Sequence, residues 1–154
     1  VTYLTFQLGT DLYALDVAHI VEVLPMVELK PLPCAPTGVA GVFSHRGVPT
    51  IALDVSAMAL RRPAAARMST RIVLVQLAEA AGATRRLGLI VERASGVTHR
   101  PASDFVETGY RGPDARYLGP VASLDDGRIV QRVDPRQLIA SDVLDALQAV
   151  ATER

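Results

Sequence analysis

FQLGTDLYALDVAHIVEVL, from Phe6 to Leu24, and GVAGVFSHRGVPTIALDVS, from Gly38 to Ser56, decide the fold of this chain. In the first stretch and just before it, Leu4, Phe6 and Leu8 alternate with Thr5 and Gln7. Gly9-Thr10-Asp11 then makes a turn, and Tyr13, Leu15 and Val17 alternate again. Successive side chains of a strand point to opposite faces, so the pattern is a hairpin with one buried face. The spacing then changes: Val17, Ile20, Val21 and Leu24 fall at i, i+3, i+4 and i+7. That fits either a short helical turn or a bent strand leaving the hairpin. The second stretch runs through Val39, Val42 and Phe43 into Ser44-His45-Arg46-Gly47. It resumes with Ile51, Leu53 and Val55 alternating against Thr50, Ala52 and Asp54. This is a second hairpin, whose turn carries a lone arginine beside Gly47.

Outward from these hairpins, strand-like segments continue to the end of the chain, at about 1–8, 12–17, 39–45, 50–55, 71–77, 86–92, 118–123 and 128–133. Gly and Pro turns separate them, which predicts a mainly β fold. Helical signals are confined to Ser56–Arg62 and to the last stretch. There Ser141 reads as an N-cap, and Val143, Leu144, Leu147 and Val150 repeat at helix spacing. Residues 61–69, Arg-Arg-Pro-Ala-Ala-Ala-Arg-Met-Ser, read as a linker between two halves of similar strand content within one domain spanning 1–154. Ala78–Arg86 reads as a polar, Ala/Gly-rich hairpin tip. Arg100–Arg116 is the longest loop-like segment, and reads either as a mobile loop or as a cover for a barrel end through Phe105 and Tyr110.

Composition narrows the function classes. The chain has 154 residues and is 49% hydrophobic, enough to bury a substantial core. Sixteen basic residues balance sixteen acidic ones, so no overall field favours nucleic acid or an anionic membrane. Partners must be recognised by local surface. Cys34 is the single cysteine, which excludes an intramolecular disulfide and a multi-cysteine zinc site and suits a reducing, cytoplasmic setting. Between Pro33 and Pro36 it is expected to be a buried or half-buried loop thiol. No apolar run reaches the ~20 residues of a membrane span. Val1 stands where an initiator methionine would, which leaves excision from a longer protein open.

Catalytic constellations are missing from the pattern. His19, His45 and His99 lie on three separate segments without metal-ligand spacing. There is no GxSxG, and the adjacent Ser44-His45 cannot place a hydroxyl against an imidazole as a triad does. The spaced glycines of GVAGVFSHRG sit inside a hairpin, without the helix that binds pyrophosphate. No cofactor, metal or catalytic site is predicted. Asp11, Asp16, Glu22 and Asp54 fall at turns and strand ends, where carboxylates commonly accept backbone hydrogen bonds. Arg46 stands out, because a guanidinium at a hairpin turn offers a planar fork of donors to a partner. An internal pair with Glu22 or Asp54 is the competing reading.

Together the LGxxxYxxD hairpin, the exit Ile20-Val21-Glu22-Val23, the Pro-rich link, and Gly-Val-x-x-x-Arg-Gly followed by a strand ending in Asp resemble the CheW-like domain, the adaptor module of bacterial chemosensory arrays. TRIVLVQL (70–77), LGLIVERASGV (87–97) and YLGPVASLDDGRIVQRVDPRQLI (117–139) follow the family's second half in order. The resemblance implies two SH3-like five-stranded β-barrels packed side by side with a hydrophobic groove between them, plus a short C-terminal helix. It implies a noncatalytic scaffold coupling methyl-accepting chemoreceptors to the CheA histidine kinase, cytoplasmic and recruited to receptor arrays. The alternatives are a CheW-like domain excised from a larger chemotaxis protein and, from another class, a small β-barrel enzyme or nucleic-acid binder. By motif position, the resemblance assigns array assembly to Arg46, a kinase or receptor contact to Glu22, and groove or interface places to Ile20, Val48 and Ile72, each of which also suits the core. Ser44-His45 replaces the family's usual Asn-Leu, Pro49 stands at a strand position, and Val55-Ser56 replaces Leu-Arg. These departures imply a tuned choice of partner.

Overall fold

The computed structural model describes residues 1–138 apart from 37, 62, 66–68, 79–81, 83 and 110–116. The C-terminal helix expected over 141–150, residues 62 and 66–68 of the linker, and Tyr110 lie outside the described residues. Among the described residues nine strands run in order: β1 (Thr2–Leu8), β2 (Asp11–Asp16), β3 (Ile20–Pro25), β4 (Val39–His45), β5 (Val48–Asp54), β6 (Arg71–Ala78), β7 (Thr84–His99), β8 (Leu118–Ser123) and β9 (Ile129–Val133). One short helix, α1 (Val55–Leu60), follows β5. Asp54 caps it by accepting from the Ala57 amide at 3.1 Å, and Arg61 in the left-handed region ends it.

The ambiguous stretch after β2 is both things in sequence. Val17–His19 forms a single 3-10 turn, capped by Asp16 through the Ala18 amide at 2.9 Å, and the chain then continues as the strand β3. Pairing with β6 slips between Ile20 and Glu22. Burial still alternates along β3; the apolar Val21 and Val23 on its exposed face are what blur the strand pattern in the sequence.

The strands form two five-stranded sets that share β7. One set pairs in the order β8, β9, β2, β1, β7, and the other in the order β3, β6, β7, β5, β4. Each contains one parallel pair, β2 with β9 and β5 with β7. The 16-residue β7 is longer than the 86–92 segment read from sequence. Its first half pairs with β6 and β5, its second half with β1. The transfer occurs at a register shift beside Arg93, whose φ is 48°; two extra residues of β7 there bend the strand from one set into the other. At the far edges, Lys30 bridges Val42 of β4, with N···O distances of 2.8 and 2.9 Å, and Val106 bridges Val121 of β8 at 2.8 and 3.0 Å.

Adjacent residues on the central strands feed different apolar clusters. Val73, Val75, Leu53, Leu89 and Val91 from one set meet Leu4, Phe6, Leu8, Tyr13 and Leu15 from the other in the largest cluster. Their neighbours Ile72, Leu74, Ala52 and Ile90 turn the other way, onto Phe43. Tyr3, Ala14, Ala122 and Val130 do the same on the opposite side, onto Phe105. The Tyr3 and Phe105 rings lie 4.9 Å apart. Burial on both faces explains the unbroken apolar run of β6, where alternation would mark a half-exposed strand. The largest cluster packs the two sets against each other.

Candidate protein-binding site

The β4–β5 hairpin closes through Arg46-Gly47, with His45 opposite Val48. Both loop residues have positive φ, 51° and 82°, as a two-residue turn compatible with strand twist requires. Gly47 adopts this freely. For an arginine it costs on the order of 1–2 kcal/mol, and Asn or Gly would suit the backbone better. The turn therefore carries Arg46 at a local cost and projects its side chain, which is 78% exposed.

Alternation along β3 sets Glu22 on the same side as Ile20 and Leu24, with Val21, Val23 and Pro25 exposed on the other. One Glu22 carboxylate oxygen lies 3.0 Å from His45 Nε2 and 3.4 Å from Arg46 Nη2. The His45 side chain is 10% exposed, that of Glu22 35%. So exposed an arginine gains little from the pair, ~0.2–1 kcal/mol. What the contact supplies is position. Of the two internal partners considered for Arg46, Glu22 is the one found. Asp54 is committed elsewhere, accepting from the Ala57 and Ala64 amides.

The five residues assigned by resemblance have different fates. Arg46 and Glu22 are joined, and Val48, 61% exposed, follows directly on the turn. Ile20 is half-buried against the largest apolar cluster. Ile72 is a correction: it has no accessible surface and sits between Phe43, Leu74 and Ile90, so in this fold it is core. Its strand is covered on both faces, which a one-residue alignment to the family cannot reveal. Pro49 fits β5 because the stretch from Val48 to Thr50 pairs with β4 on one side, while the ladder to β7 begins only at Ala52.

Sequence reasoning missed the neighbours of this turn. A cleft of about 460 Å³ separates it from the tip of the β6–β7 hairpin, where Thr84, Arg85 and Arg86 face Val48, Pro49 and Thr50. The signal was the adjacent Arg85-Arg86, read only as part of a polar tip. Cys34 is another correction: it is exposed, in a turn with φ of 60°, where a buried or half-buried thiol was expected. His99 is hydrogen-bonded to Thr2 Oγ1 at 2.9 Å. Among the described residues no group of three or more His, Cys, Asp or Glu side chains could hold a metal ion.

A family model described as the CheW-like domain matches residues 2–143. The chain belongs to the CheW-like domain family. A Chemotaxis protein CheW from Treponema pallidum (strain Nichols) is 43% identical over 42 residues, which is 27% of this chain and 25% of that relative's length. Among solved structures, the scaffolding protein TtCheW from Thermoanaerobacter tengcongensis superposes with a TM-score of 0.78 at 20% identity, covering 92% of this chain and 89% of its own. At that identity the likeness concerns the CheW-like fold. No helix among the described residues is long and apolar enough to cross a membrane.

Proposed function

We propose that this chain is a noncatalytic chemotaxis scaffold coupling the cytoplasmic tips of methyl-accepting chemoreceptors to a CheA-type histidine kinase, acting in the cytoplasm at receptor arrays. The observation that carries the reading is the match to the CheW-like domain over residues 2–143. Support comes from Arg46, which occupies the family's assembly position in a turn whose backbone disfavours arginine and is held by Glu22. Residues kept at a conformational cost cluster where function requires them. The mechanism is geometric: engaging receptor and kinase together raises the concentration of one at the other. Each five-stranded set closes into an SH3-like barrel in this reading, and the Lys30–Val42 and Val106–Val121 bridges support closure by tying each outer strand to the segment leaving the opposite edge.

The test is a reconstituted assembly of receptor tip, kinase and this protein. Arg46→Glu sets two carboxylates against each other at the turn; it is expected to keep the native far-UV circular dichroism spectrum and to lose kinase recruitment. Full kinase stimulation in arrays built with Arg46→Glu would overturn the assignment.

A further inference from the structure

β5 and β7 run parallel from Ala52 and Gly88 to Asp54 and Ile90. Before that ladder the two strands part, and the cleft beside the β4–β5 turn is the fork between them. By register, Val48–Thr50 forms one wall and Thr84–Arg86 the other. Each wall is laddered on its far side, to β4 and to β6. Facing the fork, β7 presents an edge to which an extended chain can add, while on β5 Pro49 offers a carbonyl and no N–H.

The fork is lined by cationic side chains. Arg46, Arg85 and Arg86 line it beside His45, and among the described residues no carboxylate is part of the lining. The chain as a whole is neutral, so this is a local concentration. Arg86 Nε donates to the neutral Gln76 Oε1 at 3.0 Å, which orients the guanidinium without cancelling its charge. Arg46 shares its Glu22 oxygen with His45. Guanidinium forks match carboxylates two bonds at a time, and exposed Val48 and Pro49 add apolar surface between the cations.

We infer that this fork binds an extended acidic segment of a protein partner, with carboxylates meeting the arginines and an apolar side chain resting on Val48 and Pro49. The open β7 edge and the apolar surface favour a peptide over a small inorganic anion, which would use only the cations. The inference rests on the scaffold reading for the role of Arg46 and adds a recognition chemistry to the same turn.

The experiment is a titration of the ¹⁵N-labelled protein with a synthetic peptide alternating Glu and Val, followed by amide chemical shifts. Shifts are expected at Val48, Thr50 and Thr84–Arg86. Binding should weaken as salt rises, and by about tenfold or more in Arg85→Glu/Arg86→Glu. The neutral Arg85→Gln/Arg86→Gln pair serves if charge reversal disturbs folding, and it too should weaken binding. No shifts at the fork, unchanged affinity in both double variants, or equal occupancy by inorganic phosphate would each overturn the inference. Neither kinase nor receptor is present, so this result is independent of the assembly test. Loss of peptide binding with arrays intact and loss of arrays with peptide binding intact point to different errors.

Discussion

Ile72 offers the sharpest test, because family resemblance gives it an interface place and the fold gives it a core one. Ile72→Ala removes three carbons from a side chain with no accessible surface. Transfer alone, at ~0.8 kcal/mol per carbon, amounts to about 2.4 kcal/mol. The remaining cost depends on whether the site can collapse, and here it cannot do so easily. Gly88 lies directly beneath, so close that a Cβ on it would stand 2.7 Å from both Ile72 Cγ2 and Phe43 Cε1. Gly88 is itself fixed between Leu74 of β6 and Ala52 of β5. With a rigid backbone on that side the cavity persists, and the total is about 3–4 kcal/mol. For a domain of this size that lowers Tm by roughly 6–16 °C. Urea and thermal unfolding followed by far-UV circular dichroism measure it, since the chain has no tryptophan. Val48→Ala, at an exposed position, is expected within about 0.5 kcal/mol of wild type while weakening assembly. Were Ile72→Ala as stable as wild type and defective only in partner binding, the packing argument would be refuted.

Three further expectations follow from the same geometry. Arg46→Asn relieves the turn and gives up a weak ion pair, so stability should stay level or rise by about 1 kcal/mol in urea melts while kinase recruitment falls; a clear loss of stability would contradict the turn assignment. Gly41→Ala would set a Cβ 2.5 Å from the Lys30 carbonyl oxygen, which accepts from the Val42 amide. It should cost about 2–3 kcal/mol and speed amide exchange at Lys30 and Val42. Burial raises Tyr13, with the Asp11 charge adding to it, and burial with Tyr13 nearby raises Tyr117, both above the ordinary 10.0. The unfolded chain then releases these protons first, so stability is unaffected below pH 10 and declines as pH rises past it. Tyr13→Phe should reduce the decline measured in alkaline melts.

The hairpins were legible because each has one strongly alternating strand and a turn with a glycine where positive φ is needed, Gly9 and Gly47. β3 was not, since exposed Val21 and Val17 of the preceding 3-10 turn fall with Ile20 and Leu24 at helical spacing. The second half of β7 escaped for another reason: the break beside Arg93 interrupts the pattern, and Gly96-Val97-Thr98 alone is weak. β6 was recognised as a strand, yet two buried faces leave no alternation from which to assign Ile72 to one side. The Glu22–Arg46 contact was named as one of two pairs because both residues stood in motif positions. His45 as the third member, and Arg85-Arg86 across the fork, depend on which turns meet in space, a property no local period encodes.

The shared strand β7 also bears on how the chain can be divided. Cutting near the 61–69 linker would separate β1–β5 from β6–β9, leaving β3 without its β6 ladder, β5 without its β7 ladder, and β1 and β2 without β7 and β9. Neither fragment holds a complete five-stranded set, so neither is expected to fold alone. Each carries the strands the other lacks, and mixing the two should restore one cooperative unit. The protein is in this sense a natural candidate for fragment complementation, with β7 as the element whose arrival closes both halves together.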